Sequence, residues 1–174
     1  MRLFIAAQLP DEMLEALAET SALLRASVRG RFVAPSSFHV TLAFLGDVES
    51  WRIDDACAAI DEGCKGIAAF WTSFGELGSF GRRAAATLWQ GFDEPGKLPD
   101  LAHNIRSSLR ARDFEFDGKK FLPHVTLMRA ADLRTGTLPP PCFAGGTVDR
   151  VTLFRSDLSG PRPVYEPLHT NTLP

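Results

Sequence analysis

Two of the four histidines in this 174-residue chain open the same tetrapeptide, His39-Val40-Thr41-Leu42 and His124-Val125-Thr126-Leu127. A free imidazole titrates near about 6.5, so at neutral pH one ring can accept a proton while another donates one. In an extended strand alternate side chains share a face. Each copy therefore sets a ring and a hydroxyl side by side, His39 with Thr41 and His124 with Thr126, and anchors them through apolar neighbours on the opposite face. The hydroxyls suit the nonbridging oxygens of a phosphate, and the planar guanidinium of Arg129 suits the same anion. Arg129 stands five residues beyond His124. That odd separation turns it away in a regular strand, so a bulge or the strand end has to re-aim it.

At this composition a given histidine begins His-x-Thr-Leu in under about one percent of cases, and two of four do so at roughly a few in ten thousand. A single copy is equally well explained as a strand histidine packed beside a threonine; two copies favour a shared use. Metal binding is the competing use of paired histidines. Neither motif carries Cys, Asp or Glu at ligand spacing, and Asp47 lies past the strand end, so no metal and no other cofactor is expected. His103 and His169 lack the following Thr-Leu and are assigned to surface or core.

The elements around the motifs predict an α+β domain. Leu3 to Gln8 reads as a buried strand, and Pro10-Asp11-Glu12 starts a helix with the apolar stripe Leu14, Leu17, Leu24 and Val28, stopping near Gly30. Residues 38–45 form a strand closed by Gly46-Asp47. Ser50 is placed to cap a second helix with the stripe Ile53, Cys57, Ile60, Cys64 and Ile67. Residues 69–75 and 85–91 suggest a hairpin, followed by a helix with Leu98, Leu101, Ile105 and Leu109 inside and Arg106, Arg110 and Arg112 outside. Residues 121–129 carry the second motif strand, and 147–154 and 164–168 complete the set. This order lacks the regular alternation of a doubly wound sheet and fits largely antiparallel sheets.

Hydrophobic residues make up 45% of the chain and charged residues 23%, a globular balance that needs no disulfide or metal staple at this length. The net charge of −2 argues against an extended nucleic-acid surface, though not against one phosphate held in a cleft. Cys57, Cys64 and Cys142 read as buried free thiols of a reducing compartment. No apolar run is long enough to span a membrane, and the opening residues read as a strand rather than a leader, so a cytoplasmic monomer is expected.

The motif blocks Phe38-His39-Val40-Thr41-Leu42-Ala43-Phe44-Leu45-Gly46 and Pro123-His124-Val125-Thr126-Leu127-Met128-Arg129 resemble the two-histidine (2H) phosphoesterase superfamily, specifically the RNA 2′,3′-cyclic phosphodiesterases also called 2′-5′ RNA ligase-like proteins. The opening Arg2-Leu3-Phe4-Ile5-Ala6 and closing Tyr165-Glu166-Pro167-Leu168 extend the resemblance over nearly the whole chain, residues 1–174, as one two-lobed domain. It implies pseudo-symmetric lobes of antiparallel sheet with helices outside, each giving one motif strand to a central cleft without a metal. It further implies His39 as general acid to the leaving 3′ oxygen, His124 as general base to water, Thr41, Thr126 and Arg129 on the phosphate, and a 2′-phosphomonoester product. The partners implied are RNA ends or small nucleotides carrying a cyclic phosphate.

Cleavage of a 2′-5′ linkage, of a nucleotide cyclic phosphate, or the reverse ligation would use the same groups. A non-catalytic RNA-end binding module is the alternative from another class, and a structural protein with incidental histidines is a third. Phe4, Phe44 and Phe121 are candidates to stack on a terminal base, against the commoner role of core packing.

Overall fold

Five consecutive side chains, Leu3 to Ala7, are buried along β1 (Arg2–Gln8), as befits a strand covered on both faces and flanked by two others. The computed structural model describes residues 1–174, and the remaining elements are α1 (Asp11–Arg25), β2 (Arg31–Phe32), β3 (Val40–Asp47), α2 (Ile53–Cys64), β4 (Phe70–Phe80), β5 (Ala86–Glu94), α3 (Leu98–Arg110), β6 (Val125–Ala131), β7 (Gly145–Val148), β8 (Arg150–Asp157) and β9 (Val164–Thr172). They form two sheets, ordered β3-β1-β8-β9 and β2-β6-β5-β4-β7. Every pairing is antiparallel, so the predicted α+β class with antiparallel sheets holds. Each sheet contains one motif strand, β3 in the first and β6 in the second.

Helices α2 and α3 pack on each other and on the first sheet, α3 against β3 and α2 against β8 and β9, while α1 runs beside β7 of the second. The α3 stripe is as predicted: Leu98, Leu101, Ile105 and Leu109 are all fully buried, each worth about 1.5–3 kcal/mol of transfer from water. Of the stripe expected for α1, Leu17, Leu24 and Val28 are buried and Leu14 only partly so, and Met13, Ala16, Thr20 and Ser21 complete the inward face. Helix α1 also ends at Arg25 rather than near Gly30. In α2 the inward face is Ala56, Ala59, Ile60, Gly63 and Cys64, and Ile53 and Cys57 are half-buried. Ser50 makes no side-chain cap; it starts a short 3₁₀ turn, Ser50–Arg52, ahead of the helix. The three thiols are free, with Cys64 buried and Cys57 and Cys142 half-buried.

Gly63 allows the close crossing of α2 and α3. A β-carbon there would stand 2.6 Å from Ile105 Cγ1 and 2.8 Å from the Ile105 backbone nitrogen. Position matters for the site, because α3 carries Arg106, whose Nε donates to the Leu42 carbonyl of β3 at 2.8 Å. Gly63→Val is expected to destabilise the protein by about 1–3 kcal/mol in urea unfolding, as overpacking does in a filled interior. An unchanged midpoint would contradict this packing account.

Candidate active site

Each motif strand carries a β-bulge at the leucine of its His-x-Thr-Leu. Along β3, Thr41 pairs with Ala6 and Ala43 with Ile5, which leaves Leu42 as an extra residue. Along β6, Thr126 pairs with Trp89 and Met128 with Leu88, leaving Leu127 extra. An extra residue shifts the alternation of faces beyond it. Leu42 and Ala43 are consequently both buried, as are Leu127 and Met128, and the residues after them, Phe44 and Arg129, turn to the side of Thr41 and Thr126. The odd spacing of Arg129 is thereby resolved, and Phe44 is its counterpart in the other lobe. The carbonyls at the bulges are satisfied from outside the ladders, Leu42 O by Arg106 Nε and Leu127 O by the backbone N–H of Val33 at 2.9 Å. Arg106, predicted to face outward, is instead drawn to this backbone group, and its Nη1 also donates to Lys119 O at 2.9 Å.

Both histidines lie one residue before their strands, not within them as the sequence predicts, and they are fixed in matching fashion. His39 Nδ1 is 2.7 Å from the Ser37 carbonyl and His124 Nδ1 is 2.6 Å from the Leu122 carbonyl. A carbonyl only accepts, so Nδ1 donates in both rings and Nε2 is the nitrogen left to exchange protons. Free of the strand ladder, the rings take their aim from these bonds two residues upstream. His39 Nε2 lies 3.0 Å from Thr41 Oγ1. The His39 ring stacks on Phe4 at 4.9 Å and meets the edge of Tyr165 at 5.5 Å, whereas His124 contacts Phe80 at 5.2 Å and Trp89 at 5.9 Å.

His39, Thr41, His124, Thr126 and Arg129 all line one open cleft of about 810 Å³. Phe4 and Phe44 line it too. Phe121 does not: it sits in a second depression of about 310 Å³ with His103, Arg106, Arg110, Lys119 and Lys120. His169 is also elsewhere, with Nε2 2.8 Å from Asp61 Oδ1. The sequence reading missed Tyr165, Phe80 and Trp89 around the rings, because single aromatics in strands look the same whether they pack a core or a catalytic side chain. It also missed Arg2, Arg25, Arg31 and Arg162, which line the cleft with no Asp or Glu among its walls.

The LigT like Phosphoesterase family model matches residues 8–89. An RNA 2′,3′-cyclic phosphodiesterase of Escherichia coli (strain K12) is 31% identical, over 96% of this chain and 93% of that protein. The chain belongs to this family. A Geobacillus stearothermophilus relative of the same name is 33% identical over 72% of this chain, which spans 41% of that longer protein. TT0787 of Thermus thermophilus superposes with a TM-score of 0.87 at 29% identity, covering 99% of this chain and 98% of that one. E. coli LigT complexed with 3′-AMP gives 0.82 at 28% identity, covering 99% and 97%.

In this LigT-like cleft the surroundings of His39 oppose its protonation. Burial lowers the His39 pKa to about 4, with the positive charges of Arg129 and His124 acting in the same direction and the Ser37 hydrogen bond only partly countering them. Because the folded value lies below that of a free imidazole, about 6.5, the unfolded chain binds the extra proton between these limits. The stabilising effect of a neutral His39 is complete above that range and is lost as the pH falls towards 4. In an NMR titration of the free protein, His39 is expected to stay neutral down to near pH 4, and Arg129→Ala should raise its midpoint. A midpoint at the free-imidazole value would contradict the burial account.

Proposed function

We propose that this LigT-like phosphoesterase hydrolyses the 2′,3′-cyclic phosphodiester at RNA ends to a 2′-phosphomonoester, with His39 and His124 as the acid–base pair. The observation that carries the reading is the matched pair: two imidazoles, each held through Nδ1 to a carbonyl two residues upstream, lining one cleft together with Thr41 and Thr126. The names and the bound 3′-AMP of the relatives point to the same substrate class.

A cyclic phosphate held by the hydroxyls of Thr41 and Thr126 and the guanidinium of Arg129 would present phosphorus between the rings. His124 Nε2 takes a proton from the attacking water, the bond from phosphorus to O3′ breaks, and His39 Nε2 protonates that oxygen. His39 is neutral in the free cleft, so the acid role requires the bound anion to offset the repulsion from Arg129 and His124 and bring a proton to it. Every step uses side chains of this chain, and the base would lie against Phe44, since Phe4 is only 4% exposed and occupied by His39, Phe154 and Tyr165. The whole chain, 1–174, would work as one two-lobed domain and as a monomer, since one chain supplies both motifs. No helix is long and apolar enough to cross a membrane. Free cysteines support a reducing compartment, and we place the protein in the cytoplasm.

The low pKa of His39 favours a second reading of the roles, in which His39 is the resting base and His124 the acid. RNA ending in a 2′,3′-cyclic phosphate should yield a 2′-monoester, and His39→Ala and His124→Ala should each slow this by about 10²–10⁴-fold. A 3′-monoester product would refute the leaving-oxygen assignment, and full activity in either variant would refute the pair. An aryl phosphodiester, whose leaving group needs no proton, assigns the roles: activity on it survives the loss of the acid only. Survival in His39→Ala supports the first reading, and survival in His124→Ala the second.

A further inference from the structure

Arg31 stands directly opposite Arg129 where β2 pairs with β6. Opposed like charges on neighbouring strands share a face and destabilise the pairing. Neither guanidinium takes part in an ion pair. A third arginine comes from another element: Arg25, in the last turn of α1, stands over the ring of Phe32 at 4.2 Å. All three line the cleft.

The backbone holds this crowding in place. Val33 N–H donates to Leu127 O and Asp132 N–H to Arg29 O, each at 2.9 Å, so the segment carrying Arg31 is stitched to β6 at both ends. Gly30 between them permits the approach, since a β-carbon there would lie 2.8 Å from Ala130 O. Ala130 itself has a left-handed φ of 50°, where β6 takes a second irregularity in its pairing with β5. Two arginines held opposite each other without a counter-ion on tied backbone, with a third on the same cleft wall, describe a site for an anion.

We propose that Arg31 and Arg25 form a second phosphate subsite, which takes the phosphodiester on the 5′ side of the terminal nucleotide while Arg129 faces the cyclic phosphate. The proposal rests on the hydrolytic reading above and adds that the cleft distinguishes an RNA strand from a lone nucleotide. Arg31 is then a specificity-determining residue: its bond to the upstream phosphate is made only by substrates that have one.

The test compares kcat/KM for a dinucleotide ending in a 2′,3′-cyclic phosphate with that for a nucleoside 2′,3′-cyclic phosphate bearing a 5′ hydroxyl. The wild-type protein is expected to favour the dinucleotide, and Arg31→Ala should lower the ratio by about tenfold, the scale of one charge-assisted contact, with Arg31→Lys intermediate. The dinucleotide should also show the steeper salt dependence, by roughly 0.7 in log–log slope, and Arg31→Ala should remove the difference. An unchanged ratio, or equal losses on both substrates, would overturn the subsite. Binding of an unreactive labelled dinucleotide ending in a 2′-phosphate separates this proposal from hydrolysis. If the wild type cleaves neither substrate yet Arg31→Ala weakens that binding, the subsite stands and the hydrolytic reading falls; binding indifferent to Arg31 sinks the subsite whatever the turnover.

Discussion

A β-bulge at the leucine of each His-x-Thr-Leu governs the geometry of the cleft. Without the extra residue, Phe44 and Arg129 would point to the side opposite Thr41 and Thr126, and the apolar residues after each threonine would not be buried in succession. The bulges have a structural cost, because each disturbs the ladder at a buried backbone group. Two different parts of the fold meet it: the Arg106 side chain of α3 in one lobe, the Val33 amide after β2 in the other. The close crossing at Gly63 and the short strand β2 thus support the two halves of one cleft.

The electrostatics follow from the same arrangement. The cleft wall carries arginines and no carboxylate, in a chain whose overall charge is −2, so positive charge gathers on this concave surface, as it does around the second depression. Within that field the half-buried imidazole of His39 resists protonation, its pKa lowered to about 4 by loss of water contact and by the positive charge of Arg129. An anion bound between the rings would reverse the balance, since it would screen Arg129 and favour the charged ring.

The repeated tetrapeptide and the strand formers around it made both motif strands legible in sequence, and with them five residues that line one cleft. The spacing of Arg129 called for a bulge or the strand end to re-aim it, though nothing local located a bulge at Leu127. The stripe of α3 was readable because its Leu and Ile residues recur at helical spacing, whereas α1 and α2 bury Ala, Thr, Ser and Gly, which carry no hydrophobic signal of their own. Strand β2 was invisible: two residues, Arg31 and Phe32, show no alternation, and their pairing is set by β6, far along the chain. Arg31 as a wall of the cleft was lost with it. Arg106 looked like a solvated charge on an amphipathic helix, because a side chain bound to a distant carbonyl has no local signature.

The two Nε2 atoms, held at the heads of bulged strands in different sheets, would address a single phosphate. A crystal structure of the protein with a nucleoside 2′-monophosphate, the proposed product, tests it most directly. The account predicts one phosphate group within hydrogen-bonding distance of His39 Nε2, His124 Nε2 and both threonine hydroxyls, with Arg129 on the same anion. A phosphate that touches only one ring, or binds away from both, would contradict it.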